Sequence, residues 1–401
     1  MIKLGCNESL PSNWKWIKAQ DYIDIRDGTH DSPKSVDAGV PLVTSKNLVD
    51  GRIDYSTCTF ISEEDHEAIS KRSGVDDGDI LYAMIGTIGN PVVVEKNQEF
   101  SIKNVALFKF NNHSVYNRYI YHFLNSSLAN QQFQNKSRGG TQKFVSLGNI
   151  RELDIPLPPM KEQKHIASIL DKADAIRRKR QQAIQLADEF LRSVFLDMFG
   201  DPVTNPKKWK AKSLKDQILH ANNGMSRRRK DIENTGDIVL RLQDVHYEGI
   251  RYDKELNRIG LDEKERQRYK VDIGDILFIR VNGNPDYVGR SAVFNGYSED
   301  VYHNDHLIRI KIGEEYLPEF LSYCFNQKGG RQLISGQIKT SAGQHTISQG
   351  GIEKLEFYRP PIDLQRKFVS LQEKVNQIPF GDFDDESLFG SLSQKAFSGE
   401  L

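Results

Sequence analysis

The chain has 401 residues, of which 38% are apolar and 27% are charged, and its 55 basic side chains balance its 55 acidic ones. This length predicts two domains rather than one hydrophobic core, and the composition is typical of a globular protein rather than a disordered or membrane-spanning one. A net charge of zero argues against a general nucleic-acid binder but leaves local basic patches open.

The N-terminal segment "MIKLGCNESL" has no hydrophobic stretch in front of Cys6, so we expect neither a secretory nor a lipoprotein signal. No apolar run approaches the ~18 residues of a membrane-spanning helix. The three cysteines, Cys6, Cys58 and Cys324, are far apart. Their odd number and wide spacing are typical of a reducing compartment and exclude a disulfide scaffold or a metal knuckle. We therefore expect a cytoplasmic protein.

The first half of the chain predicts short strands and a few helices. The runs at 79–83 and 91–95 ("PVVVE") are rich in β-branched or aromatic residues and are bounded by Gly, Pro, Asn or Asp, which indicates strands. The run "RYIYHFLNSSLANQQF" (118–133) has apolar residues at helical spacing, which predicts one helix. The half is therefore expected to be α+β, and its apolar residues are expected to form the core.

The second half of the chain repeats the first. The paired segments are 11–28 and 205–224, 75–86 and 271–283, 119–126 and 320–327, and 139–159 and 341–361. These pairs keep their order at a shift of about 195 to 202 positions. A repeat this long indicates a duplicated domain rather than a solenoid, whose period is ~20–50 residues.

Each copy ends on a Pro-Pro pair that is followed by a helical pattern. Pro158-Pro159 opens the first pattern, because proline has the preset φ and needs no N–H at a helix start, and Gly200 and Pro202 mark its end. Pro360-Pro361 opens the second, but Pro379 predicts a break in it. A seam of alternating steps of three and four is predicted at Ile166, Ile169, Ala173, Ile176, Arg180, Ala183, Ala187, Phe190 and Val194.

These patterns predict two similar α+β domains held apart by an antiparallel two-helix coiled coil and related by a pseudo-twofold axis. The expected boundaries are 1–157 for the first domain, 158–200 for the central spacer helix, 201–359 for the second domain, and 360–401 for the C-terminal spacer helix, broken near 379–385. Arg180 lies in the seam, and we expect it to pair with a carboxylate of Asp382, Asp384, Asp385 or Glu386, because the midpoints of antiparallel helices meet. The alternative is that its basic cluster, 177–180, faces DNA phosphates or a partner subunit.

Three segments carry a resemblance to a known family. They are "IPLPPMKEQKHIASILDKADAI" (155–176), "LFGSLSQKAFSGEL" (388–401) and "DGTHDSPKSVDAGVPLVTSKNL" (27–48). Through them the chain resembles the specificity subunits of type I restriction–modification systems over its whole length. Pro379 and "FGDFDDE" (380–386) depart from the usual pattern of the second helix.

The resemblance implies a non-catalytic subunit with target-recognition domains. Each domain would read one part of a bipartite, asymmetric double-stranded DNA site, and the two helices would fix the gap and hold two modification (methyltransferase) subunits. Restriction subunits, which cut and translocate DNA, would join in a complete system. This chain would bind no cofactor, since S-adenosylmethionine serves the modification subunits, and ATP and Mg²⁺ serve the restriction subunits.

The candidate DNA-contacting residues lie in polar loops. Gln can bind adenine with two hydrogen bonds, and Arg or Lys can bind guanine in the same way. In the first half the candidates are Thr29, His30, Lys34, Ser45, Lys46, Arg138, Gln142 and Lys143; in the second half they are Arg227, Arg228, Arg229, Arg280, Asn282, Lys339, Gln344 and His345. Two alternatives stay open, namely that the Gly-rich segments are simple turns and that the arginine run is a solvated surface.

No catalytic set stands out in the sequence. The segment "NGNPDYVG" lacks the second proline of an amino-methyltransferase motif, no GxxxxGK[ST] phosphate loop occurs, and the histidines lack metal-site spacing. The alternative function is an enzyme, either a nuclease or a stand-alone DNA methyltransferase, with motifs that the pattern does not reveal. A purely structural coiled-coil adaptor is the third possibility.

Overall fold

The computed structural model describes residues 10–86, 88–111, 113–136, 144–226, 235–252, 255–378 and 385–401, and strands and helices are mixed throughout them. The α+β class predicted from the sequence is therefore confirmed. The chain divides into two compact units. Unit 1 comprises Met1–Gln181 and Gly381–Leu401, and unit 2 comprises Gln182–Phe380.

Unit 1 is built mainly from short strands. Its elements are β1 Lys15–Lys18, α1 Ala19–Tyr22, β2 Asp24–Asp27, β3 Val40–Val43, β4 Leu48–Val49, β5 Arg52–Ile53, β6 Thr59–Ile61, α2 Glu63–Ser73, β7 Ile80–Ala83, β8 Gly89–Val93, β9 Ser101–Ile102, β10 Val105–Lys109, α3 Asn117–Asn125, α4 Ser127–Lys136, α5 Leu147–Arg151 and β11 Asp154–Leu157. Helix α6, Met160–Phe199, begins in this unit and ends in unit 2.

Unit 2 follows a similar order, with three additional strands among the described residues. Its elements are β12 Ala211–Ser213, β13 Ile218–Asn223, β14 Asp237–Leu240, β15 Val245–His246, β16 Gly249–Ile250, β17 Arg258–Ile259, α7 Glu263–Tyr269, β18 Ile276–Ile279, β19 Val281–Asn282, β20 Ser291–Val293, β21 Val301–His303, β22 Leu307–Ile312, α8 Pro318–Asn326, α9 Lys328–Ser335, β23 Lys339–Ser341, β24 Gln344–Thr346, α10 Gln349–Glu353, β25 Glu356–Tyr358 and α11 Ile362–Asn376. The additional strands are β19, β23 and β24. Helix α12, Asp385–Ser398, returns to unit 1.

The sheets of the two units have the same topology. The main antiparallel sheet has the order β2-β10-β7-β8 in unit 1 and β13-β22-β18-β20 in unit 2. A three-stranded sheet, β6-β3-β9 or β17-β14-β21, contains one parallel pair in each unit. The first and last strands also pair, as β1-β11 and β12-β25. The two units therefore share the sheet topology that a duplicated domain predicts.

The helical region that follows β10 differs from its prediction. Residues 118–133 were expected to form one helix, but α3 ends at Asn125 and α4 begins at Ser127. Ser126 causes the break, because its backbone is extended and its hydroxyl donates to the Phe123 carbonyl while accepting from the Ala129 N–H. A serine that caps a new helix in this way competes with continuation of the old one.

The two units build their cores with equivalent aromatic contacts. In unit 1, Phe397 of α12 packs edge-on against Tyr119 and Phe123 of α3, with ring centroids 5.4 and 5.7 Å apart. In unit 2, Phe199 at the end of α6 packs against Phe320 of α8 at 4.8 Å. The end of α6 and the end of α12 therefore fill the same place in their respective units.

Helix α6 agrees with the helix predicted between Pro159 and Gly200, but two seam positions were wrong. Ile176 and Phe190 are exposed by 55% and 49%, respectively. Leu191 is buried in place of Phe190, and Arg177 is half-buried in place of Ile176, with its guanidinium over the Phe389 ring at 5.1 Å. The 3.6-residue repeat drifts against a strict 3.5-residue seam, so one-residue displacements of this kind accumulate over a long helix.

Each Pro-Pro helix is tied to its unit by a buried glutamine. Gln163 is fully buried; its Nε2 donates to the Ser114 and Pro158 carbonyls at 2.8 Å, and its Oε1 accepts from the Tyr116 N–H at 2.8 Å. Gln365 makes the same three bonds in unit 2, to the Glu315 and Pro360 carbonyls and the Leu317 N–H. Each partner of Gln365 stands at the position that the repeat relates to the corresponding partner of Gln163.

We predict that Gln163→Leu destabilises the protein by about 2–4 kcal/mol, because it removes three hydrogen bonds to backbone groups, one of them the buried bond to the Pro158 carbonyl. Denaturant unfolding of the full chain measures the change. Gln182→Leu is the matched control, since Gln182 is exposed on the same helix and should change the free energy of unfolding by less than about 0.5 kcal/mol. Equal unfolding midpoints for the two variants would contradict the role assigned to Gln163.

Candidate nucleic-acid interface

A glycine directly after the first strand of each main sheet allows two backbone segments to approach closely at the candidate surface. A Cβ on Gly28 would lie 2.4 Å from the Ile102 carbonyl oxygen, and one on Gly224 would lie 2.2 Å from the His303 and Asn304 oxygens. The residues that follow make parallel bridges, Thr29 to Lys103 and Met225 to Asn304. Only glycine permits this close approach, which brings two loops together in each unit.

His30 is the centre of the cluster in unit 1. Its Nδ1 lies 2.9 Å from Asn104 Oδ1 and its Nε2 lies 2.8 Å from Asp27 Oδ2, while the ring stays largely exposed. These hydrogen bonds, first to Asn104 and then to Asp27, raise the pKa of His30 above its usual value. The exposed imidazole is therefore biased toward its cationic form, which favours a phosphate or an acceptor on a base.

The other described candidates of unit 1 lie around the same loop pair. Ser45 Oγ donates to the Asn104 carbonyl at 3.4 Å, and Thr29 Oγ1 accepts from the Asp31 N–H at 3.1 Å. Lys34 and Lys46 are exposed. Thr29, His30 and Ser45 thus converge on Asn104, while no described contact brings Lys34 or Lys46 into that cluster.

In unit 2 the segment predicted as a Gly-rich loop is a β-hairpin. Strands β23 and β24 are joined by Ala342 and Gly343, whose φ values of +48° and +77° fit the two-residue turn that matches strand twist. Lys339 and Gln344 are exposed on this hairpin. His345 is half-buried, and its Nδ1 lies 2.8 Å from Thr340 Oγ1.

Strand β19 brings two further candidates to the hairpin. Asn282 is paired with His345 in the antiparallel β19-β24 ladder, and its Oδ1 accepts from the Asn284 N–H at 2.9 Å. Arg280 precedes this strand and donates through Nη1 to the Asp305 carbonyl at 3.0 Å. Arg280, Asn282 and His345 therefore share one polar surface with the His303–His306 turn.

Six candidates lie outside the described residues, namely Arg138, Gln142, Lys143, Arg227, Arg228 and Arg229. The chain that follows the first group rejoins the sheet as it does in unit 2: the Val145 N–H donates to the Met84 carbonyl at 3.0 Å, and the Ile347 N–H donates to the Arg280 carbonyl at 3.0 Å. Gln142 and Gln344 stay predicted as equivalent residues. The expected pairing of Arg180 with residues 382–386 also lies outside the described side chains.

Several residues near the candidates have a structural role. Asn47, in the "TSKN" segment, is buried and accepts from the Thr44 N–H at 2.8 Å, and Asp244 does the same for Arg241 at 2.7 Å. His303 is fully buried, and burial lowers its pKa to about 4, so it stays neutral inside unit 2. These residues hold the turns in place, and their exposed neighbours remain the candidates for DNA contact.

Several residues of the opposite loop were not predicted from the sequence to lie at this surface. Lys103 donates to Ser32 Oγ at 2.5 Å, and Asn104 joins His30 to Ser45. In unit 2, Gln349 donates to Asn223 Oδ1 at 3.2 Å beside Gly224. A local pattern could not find them, because strand pairing rather than sequence proximity brings these residues together.

Two general searches give negative results for the described residues. In the ranges that the structure covers, no group of three or more His, Cys, Asp or Glu side chains is arranged to hold a metal ion. Within the same ranges, every helix is too short or too polar to span a membrane.

Comparison with known proteins shows what the chain is similar to. Residues 11–186 match the type I restriction modification DNA specificity domain. The chain is 27% identical to the StySPI type I restriction enzyme specificity subunit of Salmonella potsdam, over 98% of this chain and 90% of that protein. It is 24% identical to the EcoKI specificity subunit of Escherichia coli K12 over the same shares. The chain is thus similar to type I restriction enzyme specificity subunits over nearly its whole length.

The specificity-subunit fold is also found among solved structures. The type I restriction–modification S subunit from M. genitalium superposes with a TM-score of 0.62 at 16% identity, covering 99% of this chain and 98% of that one. At this level of identity the superposition shows a shared fold and no more.

Proposed function

We propose that this chain is the DNA-recognition subunit of a type I restriction–modification complex, reading a bipartite, asymmetric site on double-stranded DNA. One observation carries the proposal: the same sheet topology occurs in both units, with different residues at equivalent places. Met84 and Gly86 of unit 1 stand where unit 2 has Arg280 and Asn282. Equal scaffolds with unequal surfaces suit a site whose two parts differ in sequence.

Helix α6 is the proposed spacer between the two parts of the site. Its 40 residues correspond to about 60 Å at ~1.5 Å per residue, and it begins in one unit and ends in the other. We propose an antiparallel partnership with the C-terminal helices. In unit 1, Arg177 contacts Phe389, whereas the earlier Ile166 and Leu170 share a core with the later Phe397. Such a strut would present the units about one DNA turn, ~34–36 Å, apart.

The partners in this proposal are two modification subunits, with restriction subunits in a complete system. Exposed apolar side chains along α6 offer surface that a protein partner could bury. They are Ile176, Ile184, Leu186, Phe190 and Leu196, exposed by 40–56%. S-adenosylmethionine would be bound by the modification subunits, and ATP and Mg²⁺ would serve the restriction subunits in the cytoplasm.

The proposal makes this chain non-catalytic, which distinguishes it from a nuclease or a stand-alone methyltransferase. We expect the purified chain to transfer no methyl group from S-adenosylmethionine to DNA alone, and to support sequence-specific transfer when a modification subunit is added. A radiolabelled methyl-transfer assay, with and without the partner, measures this. Turnover by the chain alone would overturn the proposal in favour of the enzyme alternative.

We further predict that Gln344→Ala relaxes recognition of one part of the site only, because Gln344 belongs to unit 2 and is exposed on its hairpin. Loss of a bidentate contact to a base should reduce discrimination at that position by about tenfold or more. Methylome sequencing of a host that carries the variant and the modification subunit reads both parts at once. Gln332→Ala, exposed on α9 of the same unit, is the matched control. Equal loss at both parts, or at neither, would contradict the assignment.

A further inference from the structure

Unit 2 contains a cavity that the recognition surface does not use. Its volume is about 550 Å³, which lies within the ~300–1,000 Å³ typical of ligand sites. Its walls are the second half of α6, helices α8 and α11, and the turn between β15 and β16. The cavity therefore lies beside the spacer helices rather than among the loops proposed to read DNA.

The lining of this cavity is acidic. Five carboxylates line it, and Arg192 is the one cation among its lining residues. The carboxylates are Asp188, Glu189, Glu248, Glu319 and Glu373. Burial, followed by the charge of Glu248, raises the pKa of Asp188 above its usual value. Within the described residues, Glu319 and Glu373 make no ion pair of 4 Å or less.

The internal repeat reveals what occupies the equivalent place in unit 1. Helices α3 and α8 correspond at a shift of 201, so Arg118 stands where unit 2 has Glu319. The shift of 202 that relates Gln163 to Gln365 places Asp171 where unit 2 has Glu373. Arg118 and His122 both bond Asp171, and the His122 Nε2 lies 2.7 Å from its Oδ1.

Arg178 lies at the same place in unit 1, the one that corresponds to the cavity of unit 2. Its guanidinium bonds Asp174 Oδ2 at 2.7 Å, the Asp50 carbonyl at 2.6 Å and the Tyr121 hydroxyl at 3.3 Å. Burial alone would raise the pKa of Asp171, but the bonds from His122 and Arg118 outweigh burial and lower it to about 2. Unit 1 therefore neutralises its carboxylates with guanidinium groups of its own chain.

Unit 2 lacks these cations at the equivalent positions. The shift of 202 brings Arg177 and Arg178 onto Pro379 and Phe380, which are uncharged and lie outside the described residues. Glu319 replaces Arg118, and Tyr323 replaces His122. The arginine and the histidine of α3 thus correspond to an acid and a phenol in α8, while a carboxylate is kept at Glu373.

Two further features of the cavity point to a cation with N–H donors. Gln372 lines the cavity, and its Oε1 is shielded from solvent without a hydrogen-bond partner, although buried acceptors are normally satisfied. Glu373 and Asn376 lie in the last turn of α11, which ends at Asn376. The partial negative charge at a helix C-terminus favours a cation there.

We propose that this cavity receives an arginine side chain of a partner protein, in the place that Arg178 and Arg118 fill within unit 1. Arginine fits because its planar group has five donors that can bond carboxylates in pairs and also reach the Gln372 oxygen. The inference rests on the proposed function, since the partner is a modification subunit. It adds that the two units hold such partners differently, because the equivalent place in unit 1 is already occupied.

The test places an arginine side chain of this protein in the cavity. Glu319→Arg introduces a guanidinium that can pair with Glu373 as Arg118 pairs with Asp171, so we expect the variant to keep or raise its melting midpoint. Binding of one modification subunit should weaken by about tenfold or more. Mass photometry should then detect a complex with one modification subunit where the wild type has two. Glu356→Arg, an exposed strand position with the same charge change, is the matched control.

The outcomes separate the two proposals. If the wild type binds no modification subunit, the proposed function fails. If the wild type and Glu319→Arg bind the subunit with equal affinity and stoichiometry, the proposed function stands and the cavity inference is wrong. Spermidine is the probe for a small cation. A rise in the wild-type melting midpoint with spermidine, absent in Glu319→Arg and accompanied by unchanged subunit binding, would assign the cavity to a polyamine and also overturn the inference.

Discussion

The architecture of both units depends on one buried contact, the glutamine in the first turn of each Pro-Pro helix. Gln163 and Gln365 each join the helix to the carbonyl of the preceding proline pair and to the loop that leads into α3 or α8. Because three backbone groups depend on each side chain, the direction of the helix is fixed by the same residues that close the sheet. The first turn of each helix therefore keeps a fixed direction relative to its own unit.

Duplication explains how one chain obtains two recognition surfaces without two folds. The glycines, buried turn residues and sheet order are kept in both units, since a change in any of them would leave a steric clash or an unpaired buried group. The exposed positions have diverged, as in the cluster around His30 and Asn104, where unit 2 has Ser226 and Asp305. The same divergence reaches the helical side, where guanidinium groups fill unit 1 and carboxylates line a cavity in unit 2.

The sequence predicted the features that repeat or follow a regular period. The duplication, the α+β class and the long helix after Pro159 all leave such signals. It did not predict the break at Ser126, because a single capping serine interrupts an otherwise helical pattern, nor the hairpin at Lys339–Thr346, whose turn uses Ala342 with positive φ. Asn104 and Lys103 were missed because strand pairing brings them to His30 across more than seventy residues of sequence. The acidic cavity was also missed, since its carboxylates come from four separate segments.

The central claim is that two duplicated units read two parts of one DNA site across a gap set by α6. Insertion of four helix-forming residues after Ala183, where α6 has passed from unit 1 to unit 2, lengthens the helix by about one turn, ~5–6 Å. Methylome sequencing of a host that expresses this variant with the modification subunit measures the result. The account predicts that both parts of the site are kept and that the gap between them grows by about two base pairs. An insertion variant that folds and methylates a site with an unchanged gap would contradict it.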